Sequence, residues 1–296
     1  MKNHTLLLID GFNLLSRAFF ATSYGKADEK LRNSNGVYTN ALRVFFQKLF
    51  NLTSEHNVTH LGIAWDVKRG ETQRRIKYDF YKGTRSELPE ALIQQYETCC
   101  TFLESIGVKQ IVVPPYEADD VLGTLAKRWS QGKCFIYSND RDLFQLLSET
   151  TSQIIATKQG ELIYTLADFH DDYGITSKQW IDVKALLGDS SDNIPGCPGV
   201  GEKSALPLIQ QYSSLEMLYE QVEQLDPKFN RYKKKLIDGK DTAFISKELS
   251  EIICDIKELQ ELRLDDFMVN ISEENLQAML KELEINLRIN SFGSVG

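Results

Sequence analysis

Nine acidic residues stand where a carboxylate could meet other carboxylates: Asp10, Asp66, Glu117, Asp119, Asp120, Asp140, Asp142, Asp189 and Asp192. If they converge, two ionised carboxylates about 4 Å apart repel by roughly 4 kcal/mol at an effective dielectric near 20. Such a cluster needs cations, or some members must keep their protons. An all-oxygen set with no nearby His or Cys suits Mg²⁺ or Mn²⁺. Mg²⁺ retains several waters, so two ions could not touch all nine groups, and some must act through water. A pair of such ions suits in-line displacement at phosphorus. A plainer reading stays open beside this one. Acidic residues in a first helical turn favour the positive end of the helix dipole, and Asp119 and Asp192 fit as caps.

A second chemical element is basic. Lys68 to Arg85 carries Lys68, Arg69, Arg74, Arg75, Lys77, Lys82 and Arg85 against only Glu71 and Asp79. Lysine and arginine beside a metal site can hold a phosphate and stabilise its developing charge, and Tyr81 could stack on a base of a single strand. A solvated basic face is the alternative. The third element is Gly199-Val200-Gly201-Glu202-Lys203. Glycines before a helix let backbone amides approach a phosphate, although a C-capping turn explains them as well. With Lys203 and a further basic run at Lys228 to Lys240, a sequence-blind grip on duplex phosphates is within reach.

The elements that would position these groups alternate along the chain. Thr5 to Ile9, His60 to Trp65, Lys109 to Val113 and Cys134 to Ser138 read as buried strands. They end at Asp10, at Asp66, just before Glu117-Ala118-Asp119-Asp120, and just before Asp140 and Asp142. Gly11-Phe12-Asn13 reads as a turn into a helix from Leu14. Residues 22–36 read as a loop, Tyr38 to Glu55 as a helix, and Pro89 opens another that runs to about Ile106. Val67 to Pro89 lacks a strong apolar period and reads as a mobile or arching excursion. Gln153 to Thr157 and Glu161 to Tyr164 form a hairpin around Gly160. The fold class that follows is α/β, a mostly parallel central sheet flanked by helices. In such sheets sites form outside the carboxyl ends of the strands, where these carboxylates fall. Past Asp168 the pattern turns helical, with Ser177 to Leu187 as a helix, and Phe292 to Gly296 are expected to fray. Within Pro114 to Gly123, Glu117 and Asp120 are one helical turn apart and expected to face one point, with Asp119 projecting elsewhere.

Composition narrows the partners. The longest apolar runs are far too short to cross a membrane, and Asp10 interrupts the first of them, so no signal peptide is visible. Cys99, Cys100, Cys134, Cys197 and Cys254 form no CxxC pair, and the four histidines show no zinc-ligand spacing. The reading is cytoplasmic. A net charge of −8 would argue against nucleic acid, but the basic residues are segregated into two runs.

Taken together, LLLIDGFNLLSRAFF, AWD, YKGTR, YEADDVLG, SNDRDLFQLL and VKALLGDSSDNIPGCPGVGEKSA resemble the 5′ nuclease family. That family includes the N-terminal nuclease domain of bacterial DNA polymerase I, phage 5′ exonucleases and flap endonucleases. The likeness runs from Leu6 to Ala205 and, through KDTAFISKELSEI, to about Ile252. The resemblance implies a stand-alone 5′→3′ exonuclease and flap endonuclease that cuts 5′ flaps and nicked or branched DNA, leaving 5′-phosphate and 3′-hydroxyl ends. It puts the metal cluster on all nine acids, with two Mg²⁺ and Mn²⁺ as a substitute. It puts phosphate-contacting residues at Lys82, Arg85 and Arg74, and further basic active-site positions at Arg17 and Lys184. It makes residues 67–89 a helical arch within a nuclease core at 1–175. It makes 176–296 a helical DNA-binding subdomain, whose turn at Gly199 and Gly201 is a helix–three-turn–helix often holding K⁺. A monomer is expected. Two rival functions remain: a structure-specific DNA-binding protein with weak catalysis, and a PIN-like ribonuclease.

Overall fold

Leu6, Leu7, Leu8 and Ile9 are all buried because β1 (His4–Asp10) lies in the middle of a sheet covered on both faces. The protein is described by a computed structural model over residues 4–288, so the expected fraying of Phe292–Gly296 lies outside the described residues. β1 pairs in parallel with β2 (His60–Ala64) and with β4 (Gly132–Tyr137). β3 (Lys109–Ile111) and β5 (Thr151–Thr157) extend the sheet, and β6 (Gly160–Tyr164) closes it as an antiparallel hairpin. The order is β3-β2-β1-β4-β5-β6. Successive β1 side chains point to opposite faces. Leu7 and Ile9 meet α1 (Gly11–Ser23), α2 (Asn40–Glu55) and, beyond the short α3 (Gln73–Lys77), α4 (Glu90–Ser105). Leu6 and Leu8 meet α5 (Ala118–Arg128).

A second body of helices follows the hairpin. It comprises α6 (Leu166–Tyr173), α7 (Trp180–Leu187), α8 (Glu202–Tyr212), α9 (Leu215–Glu220), α10 (Lys233–Asp238) and α11 (Lys240–Ser250) around their own apolar cluster. Ser177–Gln179, expected in the same helix as Leu187, is a separate 3₁₀ turn. The chain then returns to the sheet. Ile252, Ile256, Leu259 and Phe267 pack beside Leu6, Leu8 and α5. Leu276, Leu280, Leu283 and Ile285, on and after α12 (Glu273–Glu282), join the opposite face. The expected division at 175/176 falls after α6, and residues 252–285 pack back on the α/β layers. Among the described residues no helix is long and apolar enough to cross a membrane.

Two local expectations change. There is no turn at Gly11: the strand runs straight into α1, and Asp10 caps it by accepting from Asn13 N–H at 3.0 Å. Glycine is required there by closeness, since a Cβ would lie 2.6 Å from the Trp65 ring. The excursion at 67–89 is not an open arch at its base. It holds a 3₁₀ turn at Arg69–Glu71 and the five-residue α3, and Arg74 and Tyr81 are buried.

Candidate metal centre

Asp10, Asp66, Glu117, Asp119, Asp140, Asp142 and Asp192 line one cavity of about 210 Å³, together with Lys82, Arg85, Arg74 and Tyr81. The fold explains the gathering. β1, β2, β3 and β4 are parallel, so all their carboxyl ends open on one side. Asp10 ends β1, Asp66 follows β2 by two residues, α5 delivers its first turn after β3, and Asp140 and Asp142 follow β4. Asp192 arrives from the loop after α7. A larger groove of about 1030 Å³ runs on the far side of Arg74 between α5 and residues 248–255. None of the nine acids lines it, so volume alone does not mark the site.

Cations of the chain balance only some of these charges. Lys82 Nζ bonds Glu117 Oε1 at 2.5 Å, and Arg74 Nη1 donates to Glu117 Oε2 at 3.0 Å, as does the Tyr81 hydroxyl at 3.0 Å. Arg85 pairs with Asp192. Lys184 Nζ lies 2.8 Å from Asp142 Oδ1 and 3.2 Å from Asp189 Oδ2. Among the described residues Asp10, Asp66, Asp119 and Asp140 form no direct ion pair with Lys or Arg. Asp10 accepts from Asn13 N–H and from Ser138 Oγ at 3.1 Å, and Asp66 accepts from Ala118 N–H at 2.9 Å.

Protonation follows that imbalance. Burial, then the Asp66 charge, push Asp10 from 3.8 up to about 7. Burial and Asp140 push Asp142 up to about 6 against the pull of Lys184. Asp119 is raised well above the usual carboxylate range by burial and by Asp140, Asp10 and Asp66. Asp66 is raised by surrounding protein and opposed by Lys82; its open face to the cavity lets water moderate that rise. Burial would raise Glu117 too, but Lys82 and Arg74 outweigh it and hold it low.

These residues fit divalent cations in a particular way. Among the described residues, four carboxylates without a direct ion pair face one polar cavity, which is the donor chemistry of a hard ion. Yet among the described residues no three acidic, His or Cys groups close as a ready-made cage. An ion that keeps its waters and takes one or two carboxylates directly suits this arrangement; an all-protein cage does not.

Several expected site residues sit elsewhere. The largest correction is within α5. Asp119 lines the cavity, whereas Asp120 is fully buried and turned away from it. Asp120 Oδ2 accepts from Glu117 N–H at 3.1 Å and Arg74 Nη1 at 2.7 Å, and Oδ1 from Arg74 Nη2 at 2.8 Å and Ile253 N–H at 2.9 Å. Glu117 and Asp120 do share a point, but that point is a guanidinium. For the same reason Arg74 is a buried bridge, also bonded to Glu251 O at 2.6 Å, and not an exposed phosphate contact. Tyr81 is 3% exposed, packed against Ile194 and Leu249, so it presents no open face to a base. Asp189 stands outside the lining, bonded to Ser191 and Lys184. Lys184 lies behind Asp142, and Arg17 is exposed on α1 one residue beyond Ser16, which does line the cavity.

The glycine turn forms a separate surface. Gly199 has φ +82° and Gly201 is the N-cap of α8, with Lys203 exposed in its first turn. Lys235 Nζ donates to Gly199 O at 3.2 Å, an internal cation where the resemblance puts K⁺. Residues the sequence reading missed include Asn13, Ser138 and Gln153. Gln153 Nε2 donates to the carbonyls of Ser138 and Asp140 at 2.9 and 2.7 Å and so shapes the loop after β4. Ser138 was detectable as a polar residue at a strand end; Gln153 carried no such signal.

Comparison with known proteins agrees with this architecture. Residues 5–174 match the family described as 5′-3′ exonuclease, N-terminal resolvase-like domain. Residues 175–275 match 5′-3′ exonuclease, C-terminal SAM fold, past Ile252 where recognisable motifs end. The chain belongs to the 5′-3′ exonuclease family. It is 58% identical to a 5′-3′ exonuclease of Halalkalibacterium halodurans, over 98% of this chain and 97% of that protein. It is 36% identical to DNA polymerase I of Bacillus subtilis over 97% of its own length, which is 32% of the polymerase. The T5 5′-exonuclease with bound divalent zinc shares the fold, with a TM-score of 0.67 at 20% identity over 95% of this chain and 98% of that one.

Two outcomes follow from the geometry. Asp120→Asn should cost about 1–3 kcal/mol in urea unfolding, because it weakens a buried charge-assisted pair and leaves Arg74 with only Glu117 and the Glu251 carbonyl, while Asp119→Asn should leave stability unchanged or higher. Equal stability of the two variants would contradict the opposite orientations described. In EDTA, the Asp10 contribution is fully present below 3.8 and lost as pH rises through about 7, since its folded value is the raised one. The melting temperature should therefore fall across that window, and Asp10→Asn should flatten the fall. An equal slope in the variant would contradict the raised value.

Proposed function

We propose that this protein is a divalent-metal-dependent 5′→3′ exonuclease and structure-specific flap endonuclease acting on DNA. The observation that carries the reading is the cavity in which seven carboxylates meet, four of them with no direct ion pair among the described residues. Bound Mg²⁺, or Mn²⁺ in its place, supplies charge neutralisation at the phosphate and activation of the attacking water. Asp10, Asp66, Asp119 and Asp140 are the groups free to hold two such ions, with Glu117, Asp142 and Asp192 reaching them directly or through water. Asp120 and Asp189 act behind them.

Lys82 and Arg85 serve the scissile phosphate. Both pair with Glu117 and Asp192 at the cavity; were those carboxylates to hold a cation, Lys82 and Arg85 would be available to the substrate phosphate. Lys184 steadies Asp142. Duplex DNA lies along the α8 turn, where Gly201 leaves the first amides without a side-chain cap and Lys203 is exposed. The basic run beyond, with Lys228, Arg231, Lys233 and Lys234, extends that surface. Its grip weakens steeply with salt. Hydrolysis leaves a 5′-phosphate and a 3′-hydroxyl. The cysteines all stand as free thiols, which suits a monomer working in the reducing cytoplasm.

The test is cleavage of 5′-labelled flap, nicked and blunt duplexes, with matched RNA flaps, across Mg²⁺ and Mn²⁺. The expected result is EDTA-sensitive cutting of the DNA substrates, abolished in Asp119→Asn. Binding without metal-dependent cutting would favour a DNA-binding protein, and preference for RNA flaps would favour a ribonuclease; either overturns the proposal.

A further inference from the structure

The turn that carries Lys82 and Arg85 is pinned to one neighbour. Thr84 donates its backbone N–H at 3.1 Å and its hydroxyl at 2.9 Å, both to Oδ1 of Asn193. One residue earlier, the carbonyl of Asp192 accepts from Lys82 N–H at 2.8 Å, and the Asp192 carboxylate pairs with Arg85. Tyr81 packs on Ile194, one residue later. Tyr81, Lys82, Thr84 and Arg85 are thus each tied to residues 192–194.

The seam is conformationally constrained on both sides. Lys82 has φ +53° and Asn193 φ +60°. The left-handed region costs a lysine about 1–2 kcal/mol, so it persists only where neighbours fix it. Asparagine tolerates it, which leaves its amide free to act as an acceptor. The loop behind Asn193 is stiff: Asp189 and Ile194 exchange paired backbone bonds of 2.9 and 2.8 Å. Gly188 and Gly196 approach so closely that a Cβ on Gly188 would lie 2.6 Å from Gly196 N. Past Gly196 the chain reaches Gly199 and Gly201 within five residues. Asn193 itself does not line the cavity.

We propose that Asn193 is a positioning residue: by holding Thr84 it fixes Lys82 and Arg85 over the carboxylate cavity and ties them mechanically to the glycine turn at 199–201. This rests on the nuclease reading of that cavity. Duplex DNA seated on the turn and the phosphate at the metal centre are then held in one register through a seam in which the Asn193 amide is the side-chain anchor of Thr84. Thr84 and the Asn193 amide are solvent-accessible, so the latch can be cut without emptying a core.

The experiment compares the intact chain with Asn193→Gly, Thr84→Val, Thr84→Ser and the double variant N193G/T84V. Glycine tolerates the left-handed backbone and removes the amide, and Thr84→Val, which leaves the 193 backbone untouched, controls for the added freedom; serine keeps the hydroxyl. Three readouts are taken: the single-turnover rate on a saturating 5′-labelled flap with Mg²⁺, the duplex Kd, and the rate of tryptic cutting after Lys82 and Arg85. Asn193→Gly is expected to slow cleavage by roughly 10- to 100-fold, as a displacement near 1 Å does, with Kd unchanged and faster tryptic cutting. Thr84→Val should fall less, Thr84→Ser should behave as the parent, and Thr84→Val should add nothing in the Asn193→Gly background. Unchanged tryptic cutting in Asn193→Gly overturns the latch whatever the nuclease activity. Faster cutting with an unchanged cleavage rate, or a loss confined to Kd, overturns the positioning role. If the parent chain itself cuts no DNA, the nuclease reading fails and takes the positioning role with it, while tryptic cutting still decides the latch.

Discussion

The repulsion among carboxylates at the open ends of β1 to β4 is the constraint to which the rest of the molecule answers. A parallel sheet delivers its strand ends to one place, and here each of these ends leads to acid. Ionised neighbours about 4 Å apart oppose one another by roughly 4 kcal/mol at an effective dielectric near 20, so the fold must bring cations to them or leave protons on them. It does both. Arg74, Lys82, Arg85 and Lys184 pair with Glu117, Asp120, Asp192, Asp142 and Asp189, four cations shared among five carboxylates. Asp10 and Asp119 are left in the protonatable state.

That division organises the excursion at 67–89. Its base cannot swing freely, because Arg74 bridges α5 to the carbonyl of Glu251 and Lys82 spans to Glu117 and Asp192. Lys82 and Arg85, the residues proposed to steady a phosphate, are also the cations paired with Glu117 and Asp192. On the proposed reading, charge balance alone would couple cation binding to the availability of Lys82 and Arg85.

Much of the fold was legible in the sequence because buried parallel strands leave short apolar runs, and each of four such runs led to an acid. The hairpin around Gly160 and the helix after Pro89 were equally plain. What escaped reading was direction and partnership. Helical spacing puts Glu117 and Asp120 on one side of α5 but does not say which side meets the cavity; Arg74, 46 residues away from Asp120, decides that. Tyr81 lies in a charged run, and nothing local shows that Ile194 and Leu249 bury it. The helical periodicity after Ser213 likewise gives no sign that residues 252–285 return to cover the sheet.

The most direct measurement of the central claim is calorimetric titration of Mg²⁺ into the DNA-free protein near neutral pH, repeated in buffers of different ionisation enthalpy. If crowded carboxylates keep protons until divalent ions arrive, binding must release protons, and the apparent enthalpy must vary with the buffer. The expected result is saturable, proton-releasing binding that Asp119→Asn weakens or abolishes. Binding with no proton release, or an isotherm unaltered in Asp119→Asn, would contradict it.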